Sequence, residues 1–308
     1  MKKISFAIHG GAGTILKSEM NPSLEKAYTA GLKAALKKGY ELIKDGHPAI
    51  EAVEKAVKTL EDNPLFNAGK GAVFAADGTH EMDAAIMDGA NLNAGGVCGI
   101  NNIKNPIELA RLVMEKSEHV LLGGKGAQEF AKQMNCPTEK AAYFFDEFRF
   151  NQWQRIKGTN EFQLDHSKKK TDKFGTVGAV ALDMNGNLAA ATSTGGMTNK
   201  RFGRIGDSPI IGAGNYANNL TCAVSCTGSG EFFLKGVVAY DVSCLMEMKG
   251  LSLEDACNEV IHKRVKSIGG DGGLIAVDSL GNIAMPYNTE GMYRGSINYQ
   301  QKEIIEIY

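Results

Sequence analysis

Two short hairpins of small apolar residues constrain the fold of this chain more than any other feature. In the first, residues 177–182 and 188–193 flank a turn that contains Asn185 and Gly186, a pair typical of tight hairpins. A similar unit recurs over residues 274–285. Strands this apolar must be shielded from water by other parts of the chain. The two hairpins therefore predict sheets that lie inside the protein.

Apolar residues at helical spacing surround these hairpins. Residues 21–46 and 48–60 carry helical stripes, and Asn105-Pro106 begins a further helix. Later helices are predicted from Glu231 to Met248, and after Ser252, which can cap a helix with Asp255. An apolar first strand opens the chain. This order favours a single α+β domain over residues 1–308, with two stacked sheets and helix layers outside.

Charge and hydropathy exclude several classes of partner. The 34 basic and 35 acidic residues give a net charge of −1, which argues against nucleic acid and against an anionic membrane surface. No apolar run approaches the roughly 18 residues that span a bilayer. The apolar stretch behind Lys2 and Lys3 is too short for a signal peptide, so we expect a cytoplasmic protein.

An aromatic cluster over residues 143–153 is followed by a polar stretch that contains a lysine run, residues 168–170. Aromatic residues beside lysines can form a nucleic-acid arm. The balanced net charge argues against that reading. We expect an exposed, flexible connector over about residues 151–175 instead.

Residues 212–217 match the G-x-G-x-x-[GA] pattern of dinucleotide-binding proteins. That pattern requires a helix next, whereas Asn218, Asn219 and a strand-like run follow. Nucleotide binding is therefore the weakest hypothesis. The six cysteines are scattered and are expected to be reduced and buried.

The junction between the connector and the first hairpin carries a candidate nucleophile. Gly175 precedes Thr176 there, and a threonine can attack the carbonyl before it to form an ester that water opens. The new terminal amine, with a pKa of about 7.7–8.0, can take the proton of its own hydroxyl. On local sequence alone, an ordinary strand residue after a glycine turn is the favoured interpretation of Thr176.

Three later segments add chemistry to this candidate. Residues 192–196 end the returning strand with hydroxyls and glycines, and residues 226–231 end a strand and open a helix, where backbone N–H groups suit an oxyanion. Arg204 and Asp207 can bind the α-carboxylate and the α-ammonium of an amino acid. The alternative without a ligand is that Arg204 and Asp207 form a surface ion pair that stabilises a loop.

These segments, with residues 9–13 and 66–69, resemble the isoaspartyl peptidase/L-asparaginase family, the plant-type asparaginases among the N-terminal-nucleophile hydrolases. The resemblance extends from His9 to about Arg294. It implies a four-layer αββα sandwich that cuts itself between Gly175 and Thr176, giving an α chain of residues 1–175 and a β chain of residues 176–308.

The resemblance also implies residue roles. Thr176 would be the nucleophile and Thr194 a supporting hydroxyl, Thr227 and Gly228 would form the oxyanion hole, and Asn67 would lie beside the nucleophile. The implied substrate-binding residues are Arg204, Ile205, Gly206, Asp207, Thr227, Gly228, Ser229 and Gly230. The implied substrates are L-asparagine and β-aspartyl dipeptides, and the product is L-aspartate.

The family resemblance further implies a dimer of αβ units and no organic cofactor. A structural sodium ion would be held by backbone carbonyls of the 60–70 turn. The implied metal residues are Leu60, Glu61, Asn63, Phe66, Ala68 and Lys70.

Two alternative functions stay open at this point. A glycosylasparaginase usually has His-Asp before the threonine, whereas Phe174-Gly175 stands here. A non-catalytic protein of the same fold would bind aspartate through Arg204 and Asp207 as an intact chain.

Overall fold

The computed structural model describes residues 3–159 and 175–308. An eight-stranded sheet has the order β12-β11-β1-β5-β6-β2-β3-β4, and a four-stranded sheet has the order β10-β9-β8-β7. Pairing is antiparallel except between β3 and β4. The strands are β1 (Ser5–Gly13), β2 (Met82–Asp88), β3 (Ala94–Ile100), β4 (Leu121–Gly123), β5 (Val177–Leu182), β6 (Leu188–Thr194), β7 (Asn215–Ala217), β8 (Cys222–Gly228), β9 (Gly272–Asp278), β10 (Ile283–Ala284), β11 (Gly291–Ile297) and β12 (Glu303–Glu306).

Helices fill the intervals between these strands, and most of their boundaries agree with the sequence pattern. Asn21 caps the first helix by accepting a hydrogen bond from the Leu24 amide, and Ser252 caps the last by accepting from the Asp255 amide. The helices are α1 (Pro22–Lys44), α2 (Ala49–Glu61), α3 (Pro106–Lys116), α4 (Gly124–Gln133), α5 (Ala141–Phe144), α6 (Glu147–Ile156), α7 (Gly230–Gly236), α8 (Val238–Lys249) and α9 (Leu253–Asn258), which a π-helical segment, Glu259–Val265, continues.

Most of the strands are buried on both faces, so alternate residues enter different apolar clusters. On β1, Phe6 and Ile8 pack with the cluster that contains α1 and α2, whereas Ala7 packs with residues of the four-stranded sheet. On β9, Ile275 joins that intersheet cluster, and Leu274 joins a third cluster with α8 and α9. Residues of both sheets thus share one apolar cluster, and each sheet also contributes residues to a cluster with helices. The protein is of mixed α+β class.

Both predicted hairpins are confirmed. β5 pairs with β6 in antiparallel register, with Val177 opposite Ser193, and β9 pairs with β10, with Val277 opposite Ile283. In each turn an aspartate side chain, Asp183 or Asp278, accepts hydrogen bonds from later backbone amides.

The single helix predicted from Glu231 to Met248 is wrong, because the chain breaks at Val237 into α7 and α8. Val237 has a left-handed φ of 48°. The amides of Ala239 and Tyr240, in the first turn of α8, donate to the carbonyls of Ala213 and Gly212. These two carbonyls belong to the glycine-rich stretch in which we rejected a dinucleotide motif. That stretch ends in β7, and the strand-like run expected after Asn218 and Asn219 is β8.

The predicted start of the exposed connector at residue 151 is also wrong. Residues 151–156 belong to α6, and Gln152, Trp153 and Ile156 are buried. The Trp153 ring stacks on Phe74, with ring centroids 5.5 Å apart, which explains why Trp153 packs instead of projecting into solvent. The rest of the predicted connector, residues 160–174, lies outside the described residues.

In the part of the chain that the structure describes, no helix has both the length and the apolar character needed to cross a membrane. All six cysteines are free thiols, and every one except Cys244 is buried, as the sequence predicted.

Candidate active site

The candidate nucleophile lies immediately before β5, a central strand of the eight-stranded sheet. The Thr176 side chain is 8% exposed, and its Oγ1 lies 3.3 Å from the Ser208 Oγ. Since Val177 pairs with Ser193, Thr194 at the end of β6 comes next to Thr176. Both threonines line one cavity. Its remaining wall comprises Ala12, Gly13, Val73, Arg149, Gln152, Gly175, Gly196, Met197, Thr198, Arg204, Gly206, Asp207, Ser208, Gly228, Ser229, Asp271 and Thr289.

The predicted cleavage junction is packed so tightly that only glycine fits at position 175 and at position 11, which packs against it. A Cβ at Gly175 would lie 2.7 Å from the Gly11 Cα and 2.8 Å from the Thr227 Oγ1. Gly11 has a φ of +113° at a bulge in β1, and a Cβ there would lie 2.7 Å from the Gly175 Cα. Backbone packing therefore requires a glycine before Thr176. The Gly175 carbonyl consequently has no side chain of its own residue to shield it.

A buried hydrogen-bond chain fixes the other side of Thr176. The Thr176 carbonyl can only accept, so the His9 Nδ1, 3.0 Å away, carries the proton. The His9 Nε2 then accepts from the Ser225 hydroxyl at 2.9 Å. Burial lowers the pKa of His9 to about 3, and the bond to Thr176 offsets this only in part. The imidazole is therefore neutral at physiological pH and acts as a positioning group.

The end of β8 lies on the opposite side of the junction. The Thr227 Oγ1 accepts from the Ala12 amide at 3.2 Å, so its own proton can be donated to another acceptor. Gly228 lines the cavity with a φ of +151°, and a Cβ there would lie 2.4 Å from the Asp271 carbonyl oxygen. The Ser229 hydroxyl donates to Asp271 at 2.6 Å. This arrangement can present a hydroxyl and a backbone amide to a developing oxyanion.

Arg204 and Asp207 both line the cavity, but they do not form the surface ion pair that the sequence allowed. Arg204 donates from Nε and Nη2 to the two carboxylate oxygens of Glu231, at 2.8 and 2.9 Å. Gly230 makes room for this arrangement, because a Cβ there would lie 2.7 Å from the Arg204 Nη2 and 3.0 Å from the Asp207 Oδ1. Ile205 is 38% exposed and is not part of the wall.

The Asp207 carboxyl is buried, and among the described residues its Oδ2 has no hydrogen-bond partner. Burial raises the pKa of Asp207 to about 7, and the charge of Arg204 opposes that rise. A buried carboxyl that faces a cavity without a full set of partners is suited to bind a cation from a ligand.

Asn67 lies one layer behind the cavity wall. Its Nδ2 donates to the Gly196 carbonyl at 2.8 Å, and its own carbonyl accepts from the Gly195 amide at 3.0 Å. The Thr194 Oγ1 accepts from the Gly196 amide at 3.0 Å. Asn67 therefore holds the turn that follows Thr194, and this places it beside that turn, outside the wall itself.

The turn predicted to hold a sodium ion connects α2 to a 3-10 turn, Gly69–Gly71. A Cβ at Gly71 would lie 2.1 Å from the Phe66 carbonyl oxygen and 2.5 Å from that of Pro64, and a Cβ at Gly69 would lie 2.6 Å from the Glu61 carbonyl oxygen. The absence of a side chain at these two glycines thus lets the carbonyl oxygens approach the backbone closely. In the described ranges, no group of three or more His, Cys, Asp or Glu side chains could hold a metal.

Sequence reasoning missed several cavity residues. Ser208 follows Asp207 directly, and the hydroxyl pattern gave no sign that it would face Thr176. Arg149 lay in the aromatic cluster, and Gln152 fell both in that cluster and in the predicted exposed connector. The hydrogen-bonding role of His9 depends on the antiparallel register of β1 with β5, in which His9 is opposite Gly178. A Cβ at Gly178 would lie 2.4 Å from the His9 Nε2.

The fold thus places a threonine at the start of a central strand, in the wall of a cavity. The protein-family model described as Asparaginase matches residues 2–307. The chain is 50% identical to an isoaspartyl peptidase of Salmonella typhimurium over 297 residues, covering 96% of this chain and 95% of that one. It is 50% identical to an isoaspartyl peptidase of Escherichia coli, covering 96% and 92%. A probable isoaspartyl peptidase/L-asparaginase 2 of Arabidopsis thaliana is 38% identical, covering 94% of each chain.

The chain belongs to the asparaginase family. This confirms the family that the sequence motifs predicted.

Proposed function

We propose that this protein is a self-cleaving threonine hydrolase that releases L-aspartate from β-aspartyl dipeptides and from L-asparagine. The observation that carries this proposal is the position of Thr176, in one cavity wall with Arg204 and Asp207. Relatives at 50% identity over nearly the whole chain are named isoaspartyl peptidases, which supports the choice of substrate.

Maturation uses the same hydroxyl as catalysis. The Thr176 Oγ1 attacks the Gly175 carbonyl carbon, the C–N bond to Thr176 breaks, and the nitrogen leaves as a free amine. The ester that results joins Gly175 to the Thr176 oxygen. Water hydrolyses the ester, giving the Gly175 carboxylate and restoring the hydroxyl. The Thr227 hydroxyl would stabilise the oxyanion of this step, and its packing against Gly175 supports this role.

In the mature enzyme, the Thr176 α-amine takes the proton of the Thr176 hydroxyl as the oxygen attacks the β-carbonyl carbon of the substrate. The Thr227 hydroxyl and the Gly228 amide stabilise the oxyanion, and Thr194 supports the nucleophile. Ammonia or an amino acid leaves with the proton. Water then attacks the aspartyl ester and releases aspartate. The His9 ring holds the Thr176 carbonyl throughout.

Substrate orientation follows from the two charged groups of the wall. Glu231 accepts hydrogen bonds from the Nε and Nη2 of Arg204. The remaining guanidinium nitrogen, Nη1, lies next to Gly206 on the cavity wall. That nitrogen can donate to the α-carboxylate of an aspartyl group. Asp207 can accept from the α-ammonium. The β-carbonyl of the same aspartyl group is then directed at Thr176.

The architecture proposed for the enzyme is the four-layer αββα sandwich, which the separate apolar clusters support. We further propose chains of residues 1–175 and 176–308, association of two such αβ units, and a cytoplasmic location. The chemistry needs only the groups of this chain and water.

A structural sodium ion at the 60–70 turn is part of the proposal. The backbone carbonyls of Leu60, Glu61, Asn63, Phe66, Ala68 and Lys70 would hold it, and oxygen donors of this kind suit a hard cation. The carbonyl oxygens of Glu61 and Phe66, two of these six, lie against Gly69 and Gly71, and this supports the fit. The Lys70 ammonium lies 5.3 Å from the Tyr143 ring centroid, so its charge is directed at that ring. The ion would brace the turn that carries Asn67.

We expect thermal stability to depend on sodium. Tm should rise by several degrees when sodium chloride replaces tetramethylammonium chloride at equal ionic strength, since a ligand bound only by the folded state stabilises that state. Differential scanning fluorimetry measures this. Equal Tm values in the two salts would contradict a sodium site.

A substrate panel tests the activity itself. We expect the matured protein to hydrolyse β-aspartyl-leucine and L-asparagine, with aspartate measured by chromatography, and to leave α-aspartyl-leucine intact, because that isomer does not present its β-carbonyl as an amide. Hydrolysis of a glycosyl-asparagine without hydrolysis of β-aspartyl dipeptides would favour a glycosylasparaginase. Aspartate binding by an uncut, inactive chain would favour a non-catalytic binding protein.

A further inference from the structure

A second arginine lines the cavity besides Arg204. Arg149 lies in α6, whose N-terminus is capped by Asp146. Arg149 and Gln152 are three residues apart, hence on one face of the helix. They are 2% and 4% exposed, respectively, and both contribute to the wall that contains Thr176.

The two arginines reach the cavity from different elements. Arg204 is held by Glu231 next to Gly230, at the start of α7. Arg149 comes from α6, and its charge acts on Tyr293 of β11. Burial raises the pKa of Tyr293, and the charge of Arg149 is among the groups that oppose that rise. The negative group Asp271 also lines the cavity, and it accepts from Ser229 on the Gly228 side.

The charges of the proposed substrates differ in a way that this wall can detect. A β-aspartyl dipeptide carries two carboxylates, one on the aspartyl group and one on the amino acid that leaves. L-asparagine carries only the first, because ammonia leaves. Arg204 and Asp207 account for the aspartyl group in both substrates. A guanidinium binds a carboxylate through strong, directional hydrogen bonds, and a glutamine amide can add one more donor.

We propose that Arg149, with Gln152 beside it, binds the free α-carboxylate of the leaving amino acid and so favours β-aspartyl dipeptides over L-asparagine. This inference rests on the proposed β-aspartyl hydrolase activity. It makes Arg149 a specificity-determining residue that touches the leaving group and takes no part in bond breaking.

The first test needs no variant. The wild-type enzyme is assayed with three substrates: β-aspartyl-leucine, β-aspartyl-leucine amide and L-asparagine. The amide lacks the free carboxylate of the leaving amino acid. We expect kcat/KM for the free acid to exceed that for the amide by about 10- to 100-fold, the usual effect of a hydrogen bond to a charged group. Equal values for the acid and the amide would overturn the proposal. Failure to hydrolyse any of the three would instead overturn the proposed function.

Variants then assign the effect to Arg149. Arg149→Met should lower kcat/KM for β-aspartyl-leucine by about 10- to 100-fold and should change the values for the amide and for L-asparagine by less than about threefold. Arg149→Lys should restore part of the loss. Arg155→Met, at an exposed position of the same helix, is the matched control and should behave as wild type.

A denaturing gel run beside each assay shows whether the variant chains mature. A loss of equal size on all three substrates, in variants that mature normally, would overturn the proposal, since it would show a structural role. If Arg149→Met does not mature, the comparison of acid with amide in the wild-type enzyme decides the question.

Discussion

Thr176→Ala will leave the chain as a single band of 33.0 kDa and will abolish hydrolysis. The variant lacks the oxygen that attacks the Gly175 carbonyl, so no new terminus forms. It also lacks the nucleophile that attacks the substrate. Loss of a nucleophile in a comparable hydrolase costs about 10⁶-fold in kcat, and we expect at least about 10⁴-fold here. A denaturing gel and the aspartate assay measure the two effects separately.

Two further variants control this result. Thr176→Ser keeps a hydroxyl and should still mature, at a reduced rate. Thr138→Ala makes the same chemical change at an exposed position away from the cavity and should mature and react as wild type. Aspartate release by uncut Thr176→Ala at more than about a tenth of the wild-type rate would contradict the threonine mechanism.

Asp207→Asn is expected to remove activity while making the folded chain more stable. Asn cannot supply the negative charge that accepts the substrate ammonium, and removal of one partner from a buried charge pair costs about 2–5 kcal/mol, or roughly 30- to 5,000-fold in kcat/KM. In the wild-type enzyme the carboxylate form is needed, so kcat/KM should fall as the pH drops below about 7. A pH–rate profile of wild type and variant measures both.

The gain in stability follows from proton linkage. The pKa of Asp207 rises from 3.8 unfolded to about 7 folded, so between these pH values the folded state binds the proton and the unfolded state does not. Stability contributed by the neutral carboxyl is complete below about pH 4 and is lost as the pH rises to 7, by on the order of 4 kcal/mol.

Asparagine stays neutral at every pH, and therefore Asp207→Asn should raise Tm at pH 8 and leave it nearly unchanged at pH 4. The comparison is made in the Thr176→Ala background, where both proteins are uncut chains. A lower Tm at pH 8 would show that the buried carboxylate has a compensating partner.

Much of the fold could be predicted because the hairpins and helices are locally encoded. Asn185-Gly186 specifies its turn, and Asn21 and Ser252 specify their helix starts. The break at Val237 could not be predicted, because the carbonyls that take the amides of Ala239 and Tyr240 come from a distant loop. The packing of α6 was likewise hidden, since the burial of Trp153 depends on Phe74, about eighty residues away in the chain.

The candidate site divides in the same way. Thr176, Arg204 and Asp207 could be chosen from the sequence because their chemistry and the family motifs coincide, and the structure places all three in one cavity. The hydrogen bonds from Arg204 to Glu231 depend on the packing of α7 against the loop that contains Arg204. Arg149 reaches the cavity only through the placement of α6. Such residues become visible only when distant elements are packed together.

The central claim is that the chain cuts itself before residue 176 and that the freed amine serves the adjacent hydroxyl. N-terminal sequencing of a fully active preparation tests it most directly. We predict two sequences in equal amounts, one of which begins Thr-Val-Gly-Ala, from residues 176–179. A single sequence from the original terminus, in a preparation that hydrolyses β-aspartyl dipeptides at full rate, would contradict the account.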